Sequence, residues 1–182
     1  SAGIVGDCGN NTGITFTTAD DMYWHEGTGN FSDSKWYLAT NGGGGAGRVP
    51  LPQDTARFDA SSFDSGCRTV TQDMPRIGSV IWTGALNTPT FAINSTAFSI
   101  AGTALTLISG MNLTSGTYQI EILKGLTLTS AGKTFAQDIR QHGTGTVTIA
   151  DAFVSTGDWD CNGYASLDIN ADFTSAAFAT DG

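Results

Sequence analysis

Down the second half of the chain, short strand-like triplets recur in two parallel registers. Leu105-Thr106-Leu107, Leu126-Thr127-Leu128, Val147-Thr148-Ile149 and Leu167-Asp168-Ile169 are separated by 21, 21 and 20 residues. Alongside them run Phe98-Ser99-Ile100, Tyr118-Gln119-Ile120, Gln137-Asp138-Ile139 and Trp159-Asp160-Cys161, separated by 20, 19 and 22. Apart from Gln137, each triplet alternates apolar, polar, apolar, the pattern of a strand with one buried face. Two registers repeating together at one interval describe a coil stacked on itself. A rung of this length closes as three short strands, and the next rung lies about 4.8 Å above it, main chain bonded to main chain. The expectation is an all-β chain: a single-stranded parallel β-helix (β-solenoid) of about 20–21 residues per rung. Leu105, Leu126, Val147 and Leu167 would form one inner file, and Thr106, Thr127 and Thr148 an outward hydroxyl ladder.

Residues 1–66 lack the repeat and hold Tyr23, Trp24 and Trp36, the run Asn41–Gly47, and Val49-Pro50-Leu51-Pro52. The open end of a solenoid core needs an atypical terminal segment. This stretch is therefore read as a β-rich amino-terminal cap or attachment segment, with both Trp over the first rung and the solenoid filling 67–182. No polar closing element precedes Gly182, so the coil is expected to continue beyond this stretch or to be covered by a partner.

Composition narrows the function classes. Charged residues are only 14%, Gly numbers 24, and the net charge is −9 with eight Lys and Arg in all. Scattered basic residues do not make a phosphate-tracking groove, so nucleic acid is not an expected partner. No apolar run approaches the roughly 18–20 residues that cross a bilayer, and no membrane partner or signal peptide is read. Cys8, Cys67 and Cys161 have no metal-ligand spacing and read as free thiols, with a Cys8–Cys67 bridge as the alternative.

At the amino-terminal end, Trp24-His-Glu-Gly-Thr-Gly-Asn-Phe-Ser-Asp-Ser-Lys-Trp36, the glycine run, Val49-Pro-Leu-Pro-Gln-Asp54 and Arg57-Phe-Asp-Ala60 stand in this order. Together they resemble a pattern of bacteriophage virion structural proteins: W-x-G-G-T-G-x-W-S, glycine-rich stretch, V-P, D, F-D-A, then solenoid repeats. Phe31 stands where that pattern has Trp, and Ser1–Thr18 has no counterpart in it. The resemblance implies a non-enzymatic structural or host-adhesion component of a phage particle, of tail-fibre, baseplate or head-fibre type, at the virion surface or otherwise extracellular. It also implies other virion proteins and a host surface glycan as partners, and a homo-oligomer, a trimer among the options.

The chemical motifs are sparse. Gly42–Gly47 lacks the G-x-x-x-x-G-K-[ST] spacing of a phosphate cradle and reads as a flexible surface loop. His25 and His142 have no ligand spacing and read as exposed or turn residues. Asn10, Asn30, Asn94 and Asn112 open glycosylation sequons at a frequency that chance explains. Trp159 and Tyr118 read as core.

The acidic residues Asp138, Asp158, Asp160, Asp168 and Asp172 read first as a solvated face. In the expected register Asp138 and Asp160 occupy one outward column on adjacent rungs, with Asp168 one face away. These three are the candidates for a cation site, Ca²⁺ being the ion that several carboxylate oxygens suit. No catalytic residues and no cofactor are assigned. Two other functions remain open: a polysaccharide-depolymerase tailspike using paired carboxylates on one coil face, and a bacterial surface adhesin of autotransporter type.

Overall fold

Seven strands lie side by side in parallel, and the residues on their core side form one file: Met22, Ala56, Val80, Leu105, Leu128, Ile149 and Ile169. The first six are buried, and Ile169, on the last of these strands, is 43% exposed. Consecutive members are 34, 24, 25, 23, 21 and 20 residues apart, each interval being one circuit of the chain. This is a parallel β-solenoid of about six turns. The structure, a computed structural model, describes residues 17–161 and 165–180. No helix among the described residues is long and apolar enough to cross a membrane.

Each rung has three faces. The first carries β1 (Asp21–Trp24), β4 (Thr55–Arg57), β7 (Ser79–Ile81), β10 (Ala104–Thr106) and β17 (Ala165–Ile169), with the carboxy-terminal halves of β12 (Ile120–Thr129) and β14 (Ile139–Ile149). The second carries β2 (Gly29–Asn30), β5 (Thr69–Thr71), β8 (Thr90–Ala92) and β11 (Asn112–Thr114), then a separate ladder of β13 (Thr134–Phe135), β15 (Phe153–Ser155) and β18 (Phe173–Thr174). The third carries β6 (Arg76–Ile77), β9 (Phe98–Ile100), the first halves of β12 and β14, β16 (Trp159–Cys161) and β19 (Phe178–Thr180). The corner from third face to first is tight. A Cβ added to Gly102 would collide with the main chain of Ser79 in the rung below.

The two columns read from sequence are both displaced by one pair of residues. Leu126, Val147 and Leu167 do share a file, but Leu105 lies beside Leu128, and Thr106 beside Thr129. Only Thr127 and Thr148 of the expected hydroxyl ladder stand together. On the third face Phe98, Ile120, Ile139 and Trp159 are in file, so Tyr118 and Gln137 precede the strands. Tyr118 is 49% exposed rather than core, while Trp159 is fully buried. A two-residue slip keeps every side chain on its own face, so alternation alone does not distinguish these registers.

The position 66/67 is crossed by ladders: β4 pairs with both β1 and β7, and β2 pairs with β5. Residues 21–66 thus contribute strands to the coil itself, with a long excursion between β1 and β4. Within it β3 (Trp36–Tyr37) pairs antiparallel on the outer edge of β1. Trp24 and Trp36 meet edge-on at 5.1 Å, and both indole N–H groups are satisfied, by Gly27 O and Phe31 O. The glycine run closes as a hydrogen-bonded turn at the surface. Gly45 O accepts from Leu38 N, Gly43 O from Ala39 N, and Gly47 N donates to Trp36 O. Arg48 and Asp54 hold the chain beyond it: buried Asp54 accepts from Arg48 Nη2 at 2.7 Å and from the amides of Asp20 and Leu51.

Aromatic rings fill both ends of the core. Phe58 and Trp82 stack face to face at 3.8 Å, with Phe63 5.9 Å from Trp82. Phe135, Phe153 and Phe173 stack near the other end at 5.3 and 5.5 Å. Burial of such a side chain contributes roughly 1.5–3 kcal/mol, and each aromatic pair roughly 0.5–1.5 more. Cys67 is exposed and Cys161 buried, both as free thiols. Cys8 and the Asn10 sequon lie outside the described residues.

Candidate functional site

The observed register reorganises the acidic set. On the third face the outward file runs Ser99, Glu121, Arg140, Asp160 on successive rungs. Ser99 Oγ donates to Glu121 at 3.0 Å, and Arg140 Nε to Asp160 at 3.2 Å. Charges therefore alternate along the file where the expected register stacked like charges. Asp138 belongs to the neighbouring file, beside Asp158, whose amide donates to Asp138 Oδ1 at 3.0 Å. Asp160 Oδ1 is shielded from solvent and has no hydrogen-bond partner among the described residues. Asp138, Arg140, Asp158 and Asp160 line one shallow groove of about 180 Å³.

Asp168 is on the first face, exposed and beside Thr148. Of the candidate cation ligands, Asp138 and Asp160 line the third-face groove together, while Asp168 lies apart from both. The first two sit in different files, Asp160 is engaged by Arg140, and the third is a face away. Among the described residues no three His, Cys, Asp or Glu side chains cluster as a metal site. A Ca²⁺ ion takes six to eight oxygens, and this donor set does not fit it.

A second, larger concavity of about 440 Å³ lies at the corner between the first and second faces, near the amino-terminal end. His25, Glu26 and Lys35 come from the excursion after β1, and Ser61, Asp64 and Arg68 from the loop after β4. Arg68 grips Asp64 in a fork, Nε to Oδ1 at 3.1 Å and Nη2 to Oδ2 at 3.2 Å. Lys35 Nζ donates to the carbonyls of Glu26 and Thr28, and Tyr37 O–H donates to Glu26 Oε1 at 2.9 Å. That bond, rather than burial, leads in holding the Tyr37 phenol above its ordinary pKa. His25 Nδ1 lies 3.0 Å from Ser61 O; a carbonyl only accepts, so Nδ1 carries the proton of this bond. Of this group the sequence singled out His25 alone. From His25 to Arg68 the members span 43 residues of chain, and only the closing of the first rungs joins them.

No protein-family model, no curated protein and no solved structure matches the chain.

Proposed function

We propose that the chain is a non-enzymatic structural and adhesive module of a phage particle, a stiff β-solenoid projecting from the virion surface and held there by other virion proteins. One observation carries the reading: a parallel ladder that runs without a break from β1 to β17 around a continuous apolar core. A stack bonded rung to rung resists bending, which is what a projection needs, and it displays short polar files at fixed spacing. The virion signature read in the sequence supports the reading physically. Trp24, Trp36, Asp54 and Phe58 of that stretch are buried in the first described rungs, a packing role compatible with a recurrent motif. Ion-paired or amide-bonded carboxylates on the third face suit display better than acid–base chemistry.

Immunogold labelling and peptide mass spectrometry of purified virions test it, with the chain expected on the particle surface. Its absence from virions sinks the proposal. The enzymatic alternative has its own assay. Incubation with host capsule is expected to release no reducing ends, and release abolished by Asp138→Asn with Asp158→Asn would establish a depolymerase instead.

A further inference from the structure

We infer that the concavity between His25, Glu26, Lys35, Ser61, Asp64 and Arg68 is a binding site for a neutral saccharide. The inference rests on the adhesive reading and assigns it a place and a ligand class.

Three observations converge. The first is size: about 440 Å³ lies within the roughly 300–1,000 Å³ of small-molecule sites. The second is the state of its charges. Two acids face two bases, and each already has a partner inside the wall: Arg68 on Asp64, Glu26 on Tyr37, Lys35 on two carbonyls. A net-neutral, internally compensated wall gives an ionic ligand little to neutralise. The engaged groups nevertheless keep spare capacity. Arg68 keeps its Nη1 donors, Lys35 a third N–H, and Glu26 its second oxygen. Fixed donors alternating with fixed acceptors suit a ligand whose groups each donate and accept at once, and sugar hydroxyls are that kind of group.

The third observation is strain. Glu26, on one wall, has φ 86°, and Cys67, the residue before Arg68 of the other wall, has φ 62°, both in the left-handed region. Such conformations persist where surrounding structure over-determines them, and they cluster at ligand clamps. Neither residue's side chain is needed by the core, since both are exposed. Glu26 itself lines the concavity, and Cys67 immediately precedes the lining residue Arg68.

The test uses the 182-residue chain on an array of neutral and acidic glycans, followed by saturation-transfer NMR and calorimetry on the sugars that bind. A neutral sugar is expected to bind, and Glu26→Gln and Arg68→Gln are each expected to weaken it about tenfold or more. Asp64→Asn, at a side chain 71% exposed, serves as the variant least able to disturb folding. Melting curves check that all three variants fold, and Asp138→Asn on the third face should bind as well as the native chain. Binding of acidic glycans or peptides alone, binding of no glycan, or binding untouched by all three variants overturns the inference. A sugar-binding chain missing from virions would sink the adhesive reading and leave this site standing. A virion-borne chain that binds no sugar would sink the site alone.

Discussion

Asp54 shows how a residue that reads as a motif letter acts as structure. Its carboxylate is fully buried, paired with Arg48, and bonded to two amides. Arg48 would keep its second carboxylate, Asp20 at 2.9 Å, but the amides of Asp20 and Leu51 would lose their acceptor, at about 1–3 kcal/mol for each group left unsatisfied, so Asp54→Ala should lower the denaturation midpoint by a corresponding step in a urea titration. Asp59, which closes a turn with Ser61 and Ser62, behaves differently. Burial alone would raise its pKa, but hydrogen bonds from Thr40, Ser61 and Ser62 outweigh that and hold it below the ordinary value. A lowered carboxyl stabilises the fold above its unfolded pKa, and that contribution is lost as pH falls through the folded one. Acid titration of Asp59→Asn should therefore show a shallower loss of stability than the native chain over that window. The two described thiols should separate as sharply. Burial first, then the neighbouring Asp160 charge, raises the Cys161 thiol, and its Sγ lies 3.5 Å from Gln141 Oε1. Peptide mapping after brief iodoacetamide treatment of the folded chain should find Cys67 alkylated and Cys161 protected, and equal labelling would contradict the burial.

At the scale of strands and corners, the faces were legible in the sequence and the register was not. Val147-Thr148-Ile149 and Leu167-Asp168-Ile169 pair as read, because the circuits there keep to the expected length and the chain stays in strand through the corner of β14. Leu105 and Tyr118 depart from the expected files because alternation tolerates a shift of two. The deciding constraint is where Gly102 and Gly125 let the corner close against the neighbouring rung. The first rungs were hidden altogether: a 34-residue circuit carries the excursion with β3 and the glycine turn, and no fixed period survives it. The concavity proposed to take a saccharide was illegible for the same reason, since its two walls belong to successive long loops. The corner argument is testable. Gly102→Ala places a methyl against the Ser79 main chain, and overpacking of this kind costs about 1–3 kcal/mol. Thermal melts should register the loss, whereas Gly110→Ala, with nothing near its added Cβ, should melt close to the native chain.

Over the whole molecule, contacts run almost wholly between adjacent rungs, so stability should behave as a sum of rung and neighbour terms. The two aromatic ends are then independent: Phe58, Phe63 and Trp82 stack at one, Phe135, Phe153 and Phe173 at the other, with Leu105, Leu128 and Ile122 between them. Truncating Phe153 removes its stacking on both neighbours and its edge contact with Trp159 at 5.5 Å, a loss of about 3–5 kcal/mol. In a three-dimensional globule that cost would be felt throughout. In a stack it should fall on β13 to β19, raising amide exchange there while β4, β7 and β8 keep their native protection. Trp82→Ala should give the mirror image, loosening β4, β7 and β8 and sparing β15 and β16. Hydrogen-exchange mass spectrometry of both variants reads the difference directly. Uniform acceleration along the chain in either variant would mean that the rungs unfold as one unit and that the coil is not governed by nearest neighbours.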